Sequence, residues 1–197
     1  MTLPAGADRR QLLRAAAATL PGATARLDAE LLLAHALGQE RLAMLLDSAP
    51  VPPEVEERFS ALLDRRRAHE PVAYILGSRE FRSLDLIVSP DVLIPRPDSE
   101  TLIEVAIAAF AARAPAQVLD LGTGSGALLL AALDQWRDAR GLGVDRSRAA
   151  VRVAAANARR LGLGDRARFA VGDWGLGLDA RFDLVLANPP YVATGDP

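Results

Sequence analysis

The chain has 197 residues, half of them hydrophobic, and a formal net charge of −2, so its length suits one large domain or two small ones. This balance excludes a disordered chain and argues against a general nucleic-acid-binding surface. The absence of cysteine excludes disulfides and thiolate metal sites, and we expect no metal because neither histidine stands near a carboxylate cluster with ligand spacing. No stretch approaches the roughly 20 apolar residues that span a bilayer, and no signal peptide is evident. We predict a soluble, cytoplasmic protein.

Residues 1–70 predict a small all-helical domain. Asp8 and Thr24 are placed to cap the first two helices, the second of which ends at Gly38. Apolar residues at helical spacing continue through a short third helix and a fourth that opens at Pro52-Pro53. The domain holds no cluster of residues that could do chemistry, so we expect it to dock a substrate.

Residues 71–97 predict a bridge between two domains. Alternation from Glu80 to Val88 indicates a β-hairpin. Pro95 and Pro97 then favour an extended connector, because each disfavours helix at the residue before it.

Residues 98–197 alternate helix and strand, which predicts an α/β fold with a parallel sheet. A first helix from Asp98 or Ser99 carries Leu102, Val105 and Phe110. The four strands are expected at residues 117–121, 141–145, 167–171 and 182–187, with helices at 126–137 and 148–161. Ligands of such sheets bind at the carboxyl ends of the strands.

A glycine-rich turn follows the first of these strands, in the order Gly122, Thr123, Gly124, Ser125 and Gly126. Glycines let the backbone approach a ligand closely, and the N-terminus of the next helix supplies free N–H groups. Asp145, which ends the second strand, can accept hydrogen bonds from two ribose hydroxyls. The pattern indicates a nucleoside cofactor, but it also satisfies a looser dinucleotide pattern, so NAD stays open at this point.

Two features favour S-adenosylmethionine over NAD. The loop is compact, with three alternating glycines after the polar residue Asp120. The third strand is followed by Asp173 and Trp174, which suit the exocyclic amine and the ring face of adenine. A packed core position is the alternative for Trp174.

The fourth strand is followed by Asn188, Pro189, Pro190 and Tyr191. The prolines stiffen the turn, the Asn188 side chain and a backbone carbonyl offer acceptors, and the Tyr191 ring offers a flat face. These groups suit methylation of a planar amide or amine nitrogen, with a plain strand-ending turn as the alternative.

Taken together, these segments resemble the HemK/PrmC-type protein-(glutamine-N5) methyltransferases, which modify peptide chain release factors. The resemblance covers nearly the whole chain and is carried by Pro71 to Gly77, Glu80-Phe81, Ile94 to Glu100, Asp120 to Gly126, Asp173-Trp174 and Asn188 to Tyr191. It implies a class I S-adenosylmethionine-dependent methyltransferase fold, a Rossmann-like parallel sheet preceded by a helical bundle. It also implies a substrate glutamine in a Gly-Gly-Gln loop.

Site roles follow from the same resemblance. Residues Gly122 to Gly126, Asp145 and Trp174, with Asp173, are expected to contact S-adenosylmethionine, and Arg96 is expected to border the substrate. The resemblance also implies that Asn188 lies near both cofactor and substrate and that Pro189, Pro190 and Tyr191 complete an amide pocket. As a mechanism, the Asn188 side-chain oxygen and the Pro189 carbonyl accept the two amide N–H groups, while Tyr191 packs on the amide plane.

Three alternatives stay open. An adenine-N6 nucleic-acid methyltransferase can use the same tetrapeptide, although the chain has no evident basic groove for it. A related enzyme could act on a ribosomal-protein glutamine. The third is an S-adenosylmethionine-binding fragment without activity, because only Val192 to Pro197 follow the tetrapeptide. The chain is therefore expected to be C-terminally truncated, with its fourth strand as an exposed edge and with weak cofactor binding, inactivity or poor solubility.

Overall fold

A computed structural model describes residues 8–189, which divide into two units, one up to residue 76 and one from residue 77 onward. The boundary lies inside the predicted bridge of residues 71–97, whose first part belongs to the first unit and whose remainder belongs to the second. The division into three parts stays a prediction. Within residues 8–189, no helix is long and apolar enough to cross a membrane.

The first unit is all helical, as predicted. Its helices are α1 (Arg9–Ala17), α2 (Ala25–Leu37), α3 (Arg41–Leu46), α4 (Pro53–Arg67) and α5 (Val72–Leu76). They enclose one apolar core, which includes Leu12, Leu32, Phe59 and Leu63. Sequence analysis missed α5, because five residues are too few to show helical periodicity.

The predicted caps of the first two helices differ in outcome. The Asp8 side chain accepts a hydrogen bond of 2.7 Å from the Gln11 N–H and caps α1 as expected. Thr24 occupies the cap position of α2, but its side chain makes no capping bond. Its φ of −95° and ψ of 6° are not the extended conformation from which a capping side chain reaches the helix.

The second unit begins with the predicted hairpin, formed by β1 (Ser78–Phe81) and β2 (Leu84–Ile87). Arg82 and Ser83 form its turn with positive φ values of 46° and 64°. A 3₁₀ turn at Pro97–Ser99 follows, and then α6 (Glu100–Ala109).

The sequence predicted α6 but did not identify the face that this helix buries. Ile103 and Ala106 are buried, whereas Leu102 and Val105 are exposed. The helix is apolar almost all round, so periodicity alone does not select the face that packs on the core.

A four-stranded parallel sheet completes the unit and confirms the predicted α/β fold. Its elements are β3 (Gln117–Leu121), α7 (Ala127–Gln135), β4 (Arg140–Asp145), α8 (Arg148–Arg160), β5 (Ala167–Val171) and β6 (Leu184–Ala187). The strand order is β5-β4-β3-β6, so the connections run to opposite sides of β3. Open parallel sheets form their ligand crevice where the strand order reverses, which here is the carboxyl end of β3 and β6.

The last strand begins later than predicted and lies at one edge of the described sheet. It starts at Leu184, directly after Asp183, whose carboxylate accepts hydrogen bonds from the N–H groups of Ala116 and Gln117 at 2.8 and 2.9 Å. Val185 on this strand is exposed.

Candidate functional site

A cavity of about 690 Å³ opens at the carboxyl ends of the parallel strands. This volume is within the range of small-molecule and cofactor sites, roughly 300–1,000 Å³. Its lining contains most of the side chains predicted for the site, namely Arg96, Gly122, Thr123, Gly124, Ser125, Asp145, Asp173, Trp174, Asn188 and Pro189. Gly126 does not belong to this lining, and Pro190 and Tyr191 lie outside the described residues.

The glycine-rich loop has the backbone conformation that its sequence requires. Gly122, Gly124 and Gly126 have φ values of 71°, 54° and 83°. At Gly126 a side chain would also meet neighbours, because its Cβ would lie 3.1 Å from Leu130 Cδ1 and 3.3 Å from Ala154 Cβ. Gly126 therefore lets the loop pack onto α7 and α8.

Asp145 links the loop to the start of α8. Its Oδ2 accepts a hydrogen bond of 2.9 Å from the Gly124 N–H, and its Oδ1 accepts one of 2.8 Å from the Ser147 N–H. Each carboxylate oxygen has a second lone pair for a ligand hydroxyl. Asp145 is half-buried at the cavity, so its predicted role toward a ribose is compatible with this structural role.

Asp120 is a site residue that sequence analysis noted but assigned no role. It is 1% exposed, and its Oδ2 accepts a 2.6 Å hydrogen bond from the Thr123 hydroxyl. Burial, with a smaller contribution from nearby Asp145, raises the pKa of Asp120 to about 6, although hydrogen bonds from Thr123 and the Leu129 N–H oppose the rise. The signal in the sequence is one carboxylate inside an apolar strand that runs into the loop.

The position of Asp120 bears on the kind of ligand that fits. Leu129 lies in the first turn of α7, so the carboxylate of Asp120 occupies the positive end of that helix. A helix N-terminus that is already neutralised attracts a pyrophosphate less strongly. This observation weighs against the dinucleotide alternative.

Trp174 is 52% exposed and lines the cavity, which excludes the alternative that it is a packed core aromatic. Its φ of 49° is unusual for a non-glycine residue and lies in the left-handed region, so the chain turns directly after Asp173. One part of the indole is therefore available to a planar ligand.

Asn188 leaves the end of β6 half-buried beside Ser99. Its Nδ2 donates a 2.7 Å hydrogen bond to the Ser99 Oγ. The remaining polar atom of the amide, Oδ1, can only accept hydrogen bonds. Ser99 itself is buried and was predicted only as a possible helix start.

Asn157 is a second residue that sequence analysis missed. Its side chain is fully buried and bonds both backbone groups of Ile87, with Oδ1 accepting from the N–H at 2.7 Å and Nδ2 donating to the carbonyl at 3.0 Å. Nδ2 also donates to the Ser125 carbonyl at 2.9 Å. Asn157 thus joins the hairpin to the glycine-rich loop. The available signal was a single asparagine in an alanine-rich helix.

Comparison with protein families divides the chain in the same way as its contacts. Residues 11–77 match the PrmC N-terminal domain, and residues 113–197 match a methyltransferase domain. The second match covers the sheet, the glycine-rich loop and Asn188.

Curated relatives extend this similarity over most of the chain. A release factor glutamine methyltransferase of Rhodospirillum rubrum is 48% identical over 172 residues, which are 87% of this chain and 53% of the relative. A release factor glutamine methyltransferase of Bordetella pertussis is 46% identical over 174 residues, which are 87% of this chain and 64% of the relative. That of Burkholderia pseudomallei is 43% identical over 203 residues, 100% of this chain and 69% of the relative. The chain therefore spans between about half and two thirds of these relatives' lengths, and it belongs to the family of release factor glutamine methyltransferases.

Proposed function

We propose that this chain transfers a methyl group from S-adenosylmethionine to the side-chain amide nitrogen of the glutamine in the Gly-Gly-Gln motif of peptide chain release factors. The observation that carries the proposal is that one cavity contains both the glycine-rich loop and an asparagine whose Nδ2 is already bonded to Ser99. Family membership supports a glutamine acceptor over the adenine-N6 alternative.

The charge of the cavity supports the cofactor. Four acidic residues line it, Asp91, Asp120, Asp145 and Asp173, against two basic residues, Arg96 and Arg146. Asp120 is mostly ionised at pH 7, because its pKa is about 6. A net negative cavity favours a ligand with a positively charged sulfur over one with a pyrophosphate. Asp145, Asp173 and the exposed face of Trp174 would hold the ribose and adenine.

S-adenosylmethionine supplies an electrophilic methyl group on a sulfonium. An amide nitrogen is a poor nucleophile, because its lone pair is delocalised into the carbonyl. Asn188 Oδ1 and the Pro189 carbonyl would accept the two N–H groups of the substrate amide and hold its nitrogen in one orientation. Both acceptors also lie where positive charge develops on nitrogen as the new bond forms. Positioning and charge stabilisation of this kind contribute several kcal/mol in enzymes.

The helical first unit is the proposed docking element for the release factor. It has its own core, and the described residues that line the cavity all lie at Phe81 or beyond. A release-factor partner and a cytoplasmic location belong to the same proposal.

The test is mass spectrometry of a Gly-Gly-Gln release-factor peptide after incubation with the chain and S-adenosylmethionine. We expect a mass gain of one methylene group that maps to the glutamine. The Rhodospirillum rubrum relative serves as the positive control for the peptide. In Asn188→Ala, turnover should fall by about 10²- to 10³-fold, because an acceptor for the developing charge is lost. Its affinity for S-adenosylhomocysteine should be largely kept.

Three outcomes would count against the proposal. Near-normal turnover of Asn188→Ala would remove the role of the amide pocket. Methylation of duplex DNA without methylation of the peptide would favour the adenine alternative. Cofactor binding without any transfer, while the positive control is active, would show a binding fragment without activity.

A further inference from the structure

The Asn188 amide has two chemically different ends of similar size. Rotation by 180° about its Cβ–Cγ bond exchanges Oδ1, which only accepts hydrogen bonds, with Nδ2, which only donates them. A substrate amide nitrogen brings N–H groups and therefore needs the oxygen. An asparagine turned the other way would present N–H against N–H and could not hold the substrate.

Ser99 contacts this amide at Nδ2, the atom that must not face the N–H groups of the substrate. Its Oγ accepts a 2.7 Å hydrogen bond from Asn188 Nδ2. Ser99 lies in a different segment, 89 positions away in the chain, at the end of the connector whose residues Asp91 to Arg96 also line the cavity. The bond therefore joins two walls of the cavity.

Both partners of the bond stand on restrained backbone. Ser99 is buried, and its N–H donates to the Arg96 carbonyl at 3.0 Å inside the 3₁₀ turn that Pro97 opens. Asn188 precedes Pro189, which restricts its backbone to extended conformations. Because both backbones are restrained in this way, the Ser99 hydroxyl can act as an anchor for the amide.

We propose that Ser99 is a positioning residue, which holds Nδ2 of Asn188 so that Oδ1 faces the amide nitrogen of the substrate. The inference rests on the proposed function, because it assigns Ser99 a part in that reaction. Ser99 itself touches neither the methyl group nor the substrate in this role. It acts only through Asn188.

The decisive comparison is Ser99→Thr against Ser99→Val. Threonine and valine have nearly the same shape, so any cost of the added methyl group in this buried position is shared, and only the hydroxyl differs. We expect Ser99→Thr to keep kcat within about 3-fold of the parent chain. Ser99→Val should lower kcat by about 10²-fold, the effect of a misplaced reacting group. The KM for S-adenosylmethionine should be alike in the two variants. Equal kcat in both variants would overturn the proposal.

A second measurement does not depend on activity. In ¹⁵N-labelled protein, the side-chain NH₂ signals of Asn188 are identified by their disappearance in Asn188→Asp. Their hydrogen exchange with water should be slow in the parent chain and in Ser99→Thr, and fast in Ser99→Val. Equal exchange in all three proteins would overturn the proposal. If exchange follows the expected order but the parent chain methylates no peptide, the proposed function fails while the assigned orientation of Asn188 is supported.

Discussion

The two units of this protein bury polar groups of different kinds. The first buries three charged residues, Arg9, Asp28 and Glu30, and each is ion-paired. Among its described residues, the second unit buries Ser99, Asp120, Thr123, Ser125 and Asn157, of which only Asp120 can ionise. Four of these five line the cavity, and the fifth, Asn157, is bonded to Ser125.

This difference separates polar groups that hold the fold from polar groups that build a site. In the first unit, the ion pair of Arg66 with Asp28 joins α4 to α2, and that of Arg41 with Glu30 joins α3 to α2. Such pairs fix how helices pack. In the second unit, hydrogen bonds of hydroxyl, amide and carboxylate groups fix loops and side chains around a cavity and leave chosen acceptor atoms available to a ligand.

The largest test of this contrast is Asn157→Leu. Leucine has a similar shape but leaves both backbone groups of Ile87 and the Ser125 carbonyl without this partner. Since each unsatisfied buried group costs about 1–3 kcal/mol, we expect the free energy of unfolding to fall by about 4 kcal/mol. Affinity for S-adenosylhomocysteine should also fall at least about 10-fold, because the loop loses its anchor. Tryptophan fluorescence in urea reports this unit, since Trp136 and Trp174 both lie in it.

The matched control for that experiment is Arg152→Leu, which introduces the same residue at an exposed position of α8. It should change stability by less than about 0.5 kcal/mol. Loss of stability in Asn157→Leu with unchanged ligand affinity would show that Asn157 serves the fold alone.

The opposite pattern is expected for Arg66→Met in the first unit. The substitution leaves the buried carboxylate of Asp28 unpaired, which should lower the free energy of unfolding by about 3 kcal/mol. Ligand affinity should not change, because the described residues that line the cavity belong to the second unit. Circular dichroism in urea and calorimetric titration measure the two effects. The double variant Asp28→Leu/Arg66→Met should recover most of the stability, and failure to recover would mean that the pair does more than balance charge.

Asp120→Asn removes the carboxyl group of Asp120, which is buried beside the glycine-rich loop. Because the folded pKa of about 6 lies above the ordinary 3.8, the folded protein holds this proton more tightly than the unfolded chain. The contribution of Asp120 to stability is therefore fully present below pH 3.8 and is lost as the pH rises through 6. The difference amounts to about 3 kcal/mol.

The asparagine variant cannot ionise, so it should be more stable than the parent chain at pH 8 by up to about 3 kcal/mol and similar to it near pH 4. Urea titrations of both proteins at the two pH values give the difference directly, because all other carboxyl groups are common to both. A stability difference that does not change with pH would show that Asp120 ionises normally. The variant should also bind S-adenosylmethionine more weakly, because the cavity loses negative charge.

The smallest expected effect distinguishes two caps within the first unit. Asp8→Ala removes the hydrogen bond to the Gln11 N–H and should cost about 1 kcal/mol. Thr24→Ala removes no capping bond and should cost only a few tenths of a kcal/mol. Thermal unfolding of the two variants compares them, and equal losses would mean that sequence position alone decides the value of a cap.

The sequence alone predicted the features that depend on residues close together in the chain. The helical first unit, the hairpin and the α/β order were all readable, because apolar periodicity and turn residues are local signals. The loop from Gly122 to Gly126 and the position of Asn188 at a strand end were readable for the same reason. The shorter α5 and the buried face of α6 were not, since one was too brief and the other too uniformly apolar to show a period.

The sequence by itself therefore determined the family and the fold class, and it predicted which residues contact a cofactor. Only the tertiary structure decided how those residues are held. It paired Asn188 with Ser99, Asn157 with Ile87 and Ser125, and Asp120 with Thr123. The first two pairings join segments far apart in the chain, and their partners are chosen by packing, which leaves no local pattern in the sequence. Burial decided the pKa of Asp120, because a carboxylate from which the surrounding chain excludes water holds its proton more tightly. The hydrogen bond to Ser99 decided which atom of the Asn188 amide is available to a ligand.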